Sequence, residues 1–219
     1  MKEIINKLFE EISGGNNYGE KVTLVGATKF VPVERINEAI SLGLTDIGEN
    51  KAQEFRDKFP SVLPCNYHFF GRLQKNKVKY LVGKACLIQS VDSIDLASEI
   101  SKKSVELGVT SKILLEVNQG EEQKGGFSYS DLDNALKTIS QMPNIVIEGL
   151  MSVMMDTDDE IALANAYKEL RKIYDKYKDI YSFKYLSAGM SGDYKIAIKN
   201  GANMIRIGTM IFGKRDYNI

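Results

Sequence analysis

Eight apolar, β-branched runs recur along the chain, at 22–27, 46–49, 66–70, 87–91, 112–117, 145–151, 184–188 and 203–207. Segments with helical periodicity separate them. One runs from Val33 to a closing Gly43. A second fills 93–108, with Ser93 placed to cap its start and Gly108 to stop it. Ser130-Asp-Leu-Asp-Asn-Ala-Leu136 opens a third. The longest covers 158–177, where Leu163, Ala166, Leu170, Ile173 and Tyr177 share one face. The last covers 191–199. Eight strands, seven helices between them and one helix ahead of the first predict an α/β fold, a single (β/α)8 TIM-type barrel. The extra N-terminal helix then takes the place of the helix missing after the last strand. The rival is an open doubly wound sheet. Eight regular units, with no GxGxxG after the first strand, favour the barrel. No linker or shift of composition divides the chain, so residues 1–219 read as one domain.

Composition removes several function classes. Lys plus Arg and Asp plus Glu both number 29, and a net charge of zero argues against nucleic-acid binding. The short basic stretch Lys75-Asn-Lys77-Val-Lys79 reads as the outer face of a helix. No apolar run reaches transmembrane length, and the first twelve residues form an amphipathic helix with acidic residues rather than a signal peptide. A cytoplasmic protein is therefore expected. Cys65 and Cys86 lack metal-ligand or CxxC spacing and read as reduced residues in or near the core. His68 is the single histidine. One histidine excludes HExxH proteases, multi-histidine zinc sites and the usual two-metal hydrolases, and no GxSxG elbow pairs with it.

In a barrel, function sits at the C-terminal ends of the strands. Lys29 follows strand one, where its amine reads either as a solvated strand end or as a Schiff-base former with an aldehyde such as pyridoxal phosphate. Asn50 follows strand two; it either bonds a ring substituent or caps the helix that starts at Lys51. His68 ends strand three, and a satisfied core histidine is an equal reading. Asn118 and Gln119 end strand five, and Met151-Ser152 ends strand six. Ser187-Ala-Gly-Met-Ser191-Gly192 ends strand seven, and Gly208-Thr209 follows strand eight. Together these last two point to phosphate, which barrels often bind after strands seven and eight. Taken singly, Ser191 reads as a helix cap and the glycines as turn formers. Arg206 lies between Ile205 and Ile207 and needs a partner if buried. The alternatives are solvent, a carboxylate such as Glu148, or the pyridine nitrogen of a cofactor. The strand pleat brings Lys29 and Arg206 inward.

The segments Gly26-Ala-Thr-Lys29, Ile47-Gly-Glu-Asn-Lys-Ala-Gln-Glu54, His68-Phe-Phe-Gly-Arg-Leu-Gln-Lys-Asn-Lys77, Val117-Asn118 through Glu122-Gln-Lys-Gly125, Gly149-Leu-Met151, Leu186-Ser-Ala-Gly-Met-Ser191-Gly-Asp193 and Arg206-Ile-Gly-Thr-Met-Ile-Phe-Gly213 stand in order along the chain. They resemble the pyridoxal phosphate homeostasis protein family (YggS/PROSC-like). The resemblance implies a barrel of the alanine-racemase N-terminal type. It implies pyridoxal 5'-phosphate held as an aldimine on Lys29. Ser187, Ser191, Gly208 and Thr209 would surround the phosphate, with Met190 counted among the cofactor contacts. Arg206 would face the pyridine nitrogen, and Asn50, His68 and Met151 would line the ring. Ala188 and Tyr67 depart from the family's usual methionine and tryptophan. Ala188 is expected to loosen packing beside the phosphate.

The resemblance implies a carrier or buffer in vitamin B6 balance, handing the cofactor to apo-enzymes as a monomer, without turnover. The alternative is a pyridoxal phosphate-dependent amino-acid racemase or related enzyme. Racemases of the resembling fold add a β-domain carrying a second base; the sequence closes six residues after Gly213, so none is expected. A Schiff-base aldolase would carry lysine inside a later strand, and Ile145-Val-Ile-Glu-Gly-Leu-Met151 has none.

Overall fold

The computed structural model describes residues 1–119 and 125–213. Eight parallel strands close a ring in chain order: β1 Thr23–Ala27, β2 Asp46–Glu49, β3 Asn66–Phe69, β4 Leu87–Val91, β5 Ser111–Glu116, β6 Ile145–Met151, β7 Tyr185–Ser187 and β8 Met204–Ile207. Closure is direct. Strand β1 pairs with β8 through Thr23↔Met204, Leu24↔Ile205, Val25↔Arg206 and Gly26↔Ile207. That register excludes the open doubly wound sheet.

Alternation sorts each strand into two faces. Leu24, Ile47, Tyr67, Phe69, Ile88, Ile113, Leu115, Leu150, Leu186, Ile205 and Ile207 face the helices and join the main core. Val25, Leu87, Leu114, Met151 and Met204 form a second, small cluster inside the ring. One glycine permits a tight turn of the sheet. Gly149 has φ +147°, and a Cβ there would lie 1.9 Å from the Tyr185 carbonyl oxygen. The β5–β6 register shifts beside it, between Ile113 and Leu114.

The helices are α1 Lys2–Ile12, α2 Val33–Ser41, α3 Ala52–Lys58, α4 Ile94–Leu107, α5 Leu132–Ile139, α6 Glu160–Tyr181, α7 Tyr194–Lys199 and α8 Thr209–Phe212. Ser93 caps α4 by accepting from the Leu96 amide, and Gly108 ends it at φ 63°. Between β3 and β4 the expected helix is a 3-10 turn, Lys75–Tyr80, with Val78 buried and the lysines turned outward. After β8 only the single turn α8 follows among the described residues, and α1 packs against it, burying Ile5, Leu8 and Ile12. Each such side chain contributes about 1.5–3 kcal/mol when fully buried. Both cysteines are free and half-buried. No helix among the described residues is long and apolar enough to cross a membrane.

Candidate functional site

A cavity of about 360 Å³ opens at the C-terminal end of the strands. Asn50, Phe70, Gly71 and Arg206 form one part of its lining, and Ser191, Gly192, Gly208 and Thr209 another. Ala27, Val153 and Met190 complete it. Among the described residues Arg206 is the one titratable side chain on this lining. Through Val153, Met190 and Gly192 the cavity joins a second space of about 510 Å³ along residues 153–158.

Arg206 is 4% exposed. Its Nη1 donates to Ser187 Oγ at 2.7 Å and its Nη2 to the Ser152 carbonyl at 3.0 Å. The Phe70 ring lies 5.9 Å away. Burial pushes its pKa down, and the charges of Tyr167, Glu116 and Asp193 oppose that. A guanidinium stays charged even so. Of the alternatives for Arg206, the Glu148 carboxylate is not its partner: Glu148 is bound by Lys184 at 2.8 Å and approached by Lys112 at 3.8 Å. Both lysines lie at the N-terminal end of the ring, opposite the cavity.

Lys29 sits two residues beyond Ala27, on the inward parity of β1, half-buried. Its Nζ lies 5.0 Å from the centre of the Phe30 ring. Among the described residues it has no hydrogen bond or carboxylate partner. The loop around it is held tightly. Thr28 donates from its amide to Gly48 O at 2.9 Å and from Oγ1 to Glu49 Oε1 at 2.8 Å. Lys58 reaches in from the end of α3 and donates to Thr28 O at 2.9 Å, Glu49 Oε1 at 2.6 Å and Glu54 Oε2 at 2.8 Å. Glu54 in turn accepts from the Phe30 amide at 2.9 Å. Phe30 has φ +61°, a conformation a bulky residue adopts only when its surroundings impose it. Burial raises the Glu49 carboxyl, and Lys58 and Thr28 hold it back. Glu and Lys side chains with such roles carry no local sequence pattern, and Lys58 in particular reads from sequence only as a helix end.

The remaining expected residues divide in two. Asn50, Met190, Ser191, Gly208 and Thr209 share the cavity with Arg206. Asn50 does not cap α3, whose N-cap position is Lys51 with no side-chain bond; Asn50 Oδ1 is buried without a partner. Ser191 does not cap α7 either. That helix begins at Tyr194 with Asp193 before it, and Asp193 accepts from the Met190 amide at 2.6 Å. The Ser191 and Thr209 hydroxyls have no partner among the described residues. His68, Met151 and Ser187 lie off this lining, in the interior of the ring beneath it. Both His68 ring nitrogens are engaged, Nε2 with Asp46 Oδ1 at 3.0 Å and Nδ1 with Gln89 Nε2 at 3.0 Å. Ala188 is fully buried in the helix-side core, away from the cavity, so its small size does not loosen the cavity wall. Gln119 reaches Ser152 Oγ at 3.5 Å and Met154 Sδ at 3.0 Å; residues 120–124 of the fourth resembling segment lie outside the described residues. Gly71 draws the ends of β2 and β3 together, since a Cβ there would sit 2.0 Å from Asn50 O.

A closed parallel barrel with an arginine-bearing last strand and a lysine past the first defines a class. The family described as alanine racemase, N-terminal domain, matches residues 23–216. The chain belongs to the pyridoxal phosphate homeostasis protein family. It is 39% identical over 220 residues to the "Pyridoxal phosphate homeostasis protein" of Aquifex aeolicus, covering 98% of this chain and 95% of that one. It is 36% identical over 199 residues to the protein of the same name from Helicobacter pylori, covering 87% of each. Among solved structures, PipY of Synechococcus elongatus with PLP bound superposes with a TM-score of 0.84 at 29% identity, over 96% of this chain and 100% of that chain.

Proposed function

We propose that this chain binds pyridoxal 5'-phosphate covalently through Lys29 and serves as a carrier and buffer in cellular vitamin B6 balance. The observation that carries the reading is a Lys29 amine with no hydrogen bond or carboxylate partner among the described residues, two residues along the chain from Ala27, which lines the cavity together with the guanidinium of Arg206. The cofactor supplies an aldehyde that a lysine amine captures reversibly. The residues present suit the rest of that molecule. The free Ser191 and Thr209 hydroxyls stand beside Gly192 and Gly208, as a phosphate requires. The orphaned Asn50 Oδ1 awaits a polar substituent. Arg206 would offer its guanidinium to the ring nitrogen, and a donor there would disfavour protonation of that nitrogen and make the ring a weaker electron sink. Ser187 acts from beneath by holding Arg206. The family membership and the PLP-bound PipY structure support the same assignment.

Absence of turnover is part of the proposal. The cavity lining holds no carboxylate, histidine, tyrosine or cysteine among the described residues, and the carboxylates Asp156, Asp158 and Asp193 line only the adjoining space. We assign the chain to the cytoplasm, acting as a single-domain monomer that passes its cofactor to apo-enzymes. The decisive experiment is a visible spectrum of purified protein incubated with pyridoxal 5'-phosphate, before and after borohydride reduction, with peptide mapping of the modified lysine. Reduction fixes the label on Lys29 in the wild type, and Lys29→Ala loses the visible band while keeping its fold. A band that persists in Lys29→Ala refutes the assignment. Racemisation of amino acids that depends on Lys29 would refute the carrier reading.

A further inference from the structure

The polar side chains inside the ring form one file that runs from the cavity to the opposite end. Arg206 Nη1 donates to Ser187 Oγ at 2.7 Å. Ser187 Oγ donates to Gln89 Oε1 at 2.6 Å. Gln89 Nε2 stands 3.0 Å from His68 Nδ1 and 3.3 Å from Met204 Sδ. His68 Nε2 stands 3.0 Å from Asp46 Oδ1. Gln89 and Ser187 are fully buried, and His68 and Arg206 are 4% exposed.

The chemistry of the two ends fixes every link. A guanidinium only donates, so Ser187 Oγ accepts from it and turns its own proton to Gln89 Oε1. The amide NH2 must then face the other way, towards the Met204 thioether and His68. An NH2 group only donates, so His68 Nδ1 is the acceptor and its ring proton sits on Nε2. That proton points at the Asp46 carboxylate. Four side chains from four different strands are thus locked in one direction, although only Arg206 reaches the cavity.

We propose that Gln89 is a positioning residue for Arg206: its Oε1 accepts the hydrogen bond of the Ser187 hydroxyl, fixes that hydroxyl where it holds the guanidinium, and ties that grip to the tautomer of His68. Only the role of Arg206 against a ring nitrogen rests on the functional reading above; the file of bonds stands without it. A purely space-filling Gln89 would carry no signal from Ser187 to His68, because those two side chains share no hydrogen bond with each other.

The single histidine makes the test direct. Two-bond 1H–15N spectra of 15N-labelled protein, without added ligand and at neutral pH, report one imidazole. The wild type is expected to show the Nε2–H tautomer. Ser187→Ala and Arg206→Lys release the amide of Gln89, and each is expected to shift His68 Nδ1. Gln89→Glu replaces the donor by an acceptor and is expected to place a proton on Nδ1. An Nδ1–H tautomer in the wild type, or His68 signals that ignore both Ser187→Ala and Arg206→Lys, overturns the proposal. Ser187→Ala is a small change inside an intact barrel, which keeps the test open should a Gln89 variant not fold. Pyridoxal 5'-phosphate is then added. It is expected to move the His68 signals in the wild type but not in Gln89→Leu, which binds about tenfold more weakly, the upper end of the worth of one neutral hydrogen bond. Equal affinity of Gln89→Leu and wild type overturns the positioning role. Failure of the wild type to bind at all overturns the functional reading, and the unliganded spectra still decide the file.

Discussion

Replacing Arg171 by methionine tests the joint that fastens α6 to the N-terminal segment and to the approach of β8. Arg171 is 4% exposed. It donates to Glu20 from Nη1 at 2.7 Å and from Nη2 at 3.2 Å, to Asp175 Oδ2 from Nε at 2.9 Å, and to Gly201 O from Nη1 at 3.0 Å. Its guanidinium lies 3.9 Å from the centre of the Tyr18 ring. Burial alone would raise the Glu20 carboxyl. The hydrogen bonds from Arg171, Lys178 and Asn16 outweigh it and hold the pKa at about 2, against an ordinary 4.5. At about 1.4 kcal/mol per tenfold in proton affinity, the difference between 4.5 and 2 sets an upper limit of about 3.4 kcal/mol. Glu20 keeps some solvent contact, with its side chain 16% exposed, and Lys178 and Asn16 still bind it in the variant, so screening and these surviving bonds reduce the Arg171 share to about half. Losing the Asp175 and Gly201 bonds brings the expected cost at pH 7 to about 3 kcal/mol, at the low end for a broken buried pair. Because the folded pKa is depressed, the Glu20 share is fully present above about pH 4.5 and disappears as the pH falls towards 2. The gap between wild type and Arg171→Met should therefore narrow by about 1 kcal/mol at pH 3. Urea denaturation of both proteins at pH 7, 5 and 3 measures it. A gap that is constant across this range, or below about 0.5 kcal/mol at pH 7, would refute the reasoning.

Two further substitutions probe the site. Gly71→Ala forces a Cβ towards a backbone oxygen only 2.0 Å away, so the Asn50 and Phe70 loops must part; the expected outcome is about 1–3 kcal/mol of lost stability by chemical denaturation and weakened retention of pyridoxal 5'-phosphate in equilibrium dialysis. Lys58→Met leaves Glu49 and Glu54 without their shared cation at a cost of about 3–5 kcal/mol, and adding Glu49→Gln should recover part of it in a double-mutant cycle. A carboxyl with a raised folded pKa holds its proton more tightly folded than unfolded, so the Lys58→Met penalty should grow as the pH rises, and a penalty flat in pH would speak against Glu49 as its source.

All eight strands were legible because each apolar run is short, β-branched and bounded by turn residues, and the longest helices because their apolar stripes repeat over several turns. Ser93 and Gly108 were legible as caps because the chemistry of a helix end is local. The starts of α3 and α7 were not. Asn50 and Ser191 are good capping types, yet the chain turns one residue or more later, and both are left facing a cavity that no local pattern announces. Lys75–Tyr80 looked helical but is too short, between two neighbouring strands, to form more than a 3-10 turn. Within the site, Arg206 stood out as a charge in an apolar strand. Its partner was not foreseeable: Glu148 is the obvious carboxylate in sequence, but it lies at the wrong end of the ring and is taken by lysines. Gln89 and Lys58 escaped notice because their roles depend on residues 115 and 30 positions away, Met204 for the one and Thr28 for the other. A polar amide at an inward position of a buried strand was the one available hint for Gln89.

The helix α1 has a consequence for how the molecule is made. Glu11 is bound by Tyr194 and Lys195, and Asn16 by the carbonyls of Gly201 and Ala202, at separations of 183 to 186 residues. A ribosome adding about 5–20 residues per second takes about 10–40 s to reach those partners after α1 emerges. For that interval the helix holds Ile5, Leu8 and Ile12 with no surface to set them on. Protease protection of α1 on stalled nascent chains should thus appear only once β8 has left the exit tunnel. Helix α1 docks only after those distant partners have been made, and ring closure at the β1–β8 seam and capture of α1 become one cooperative event.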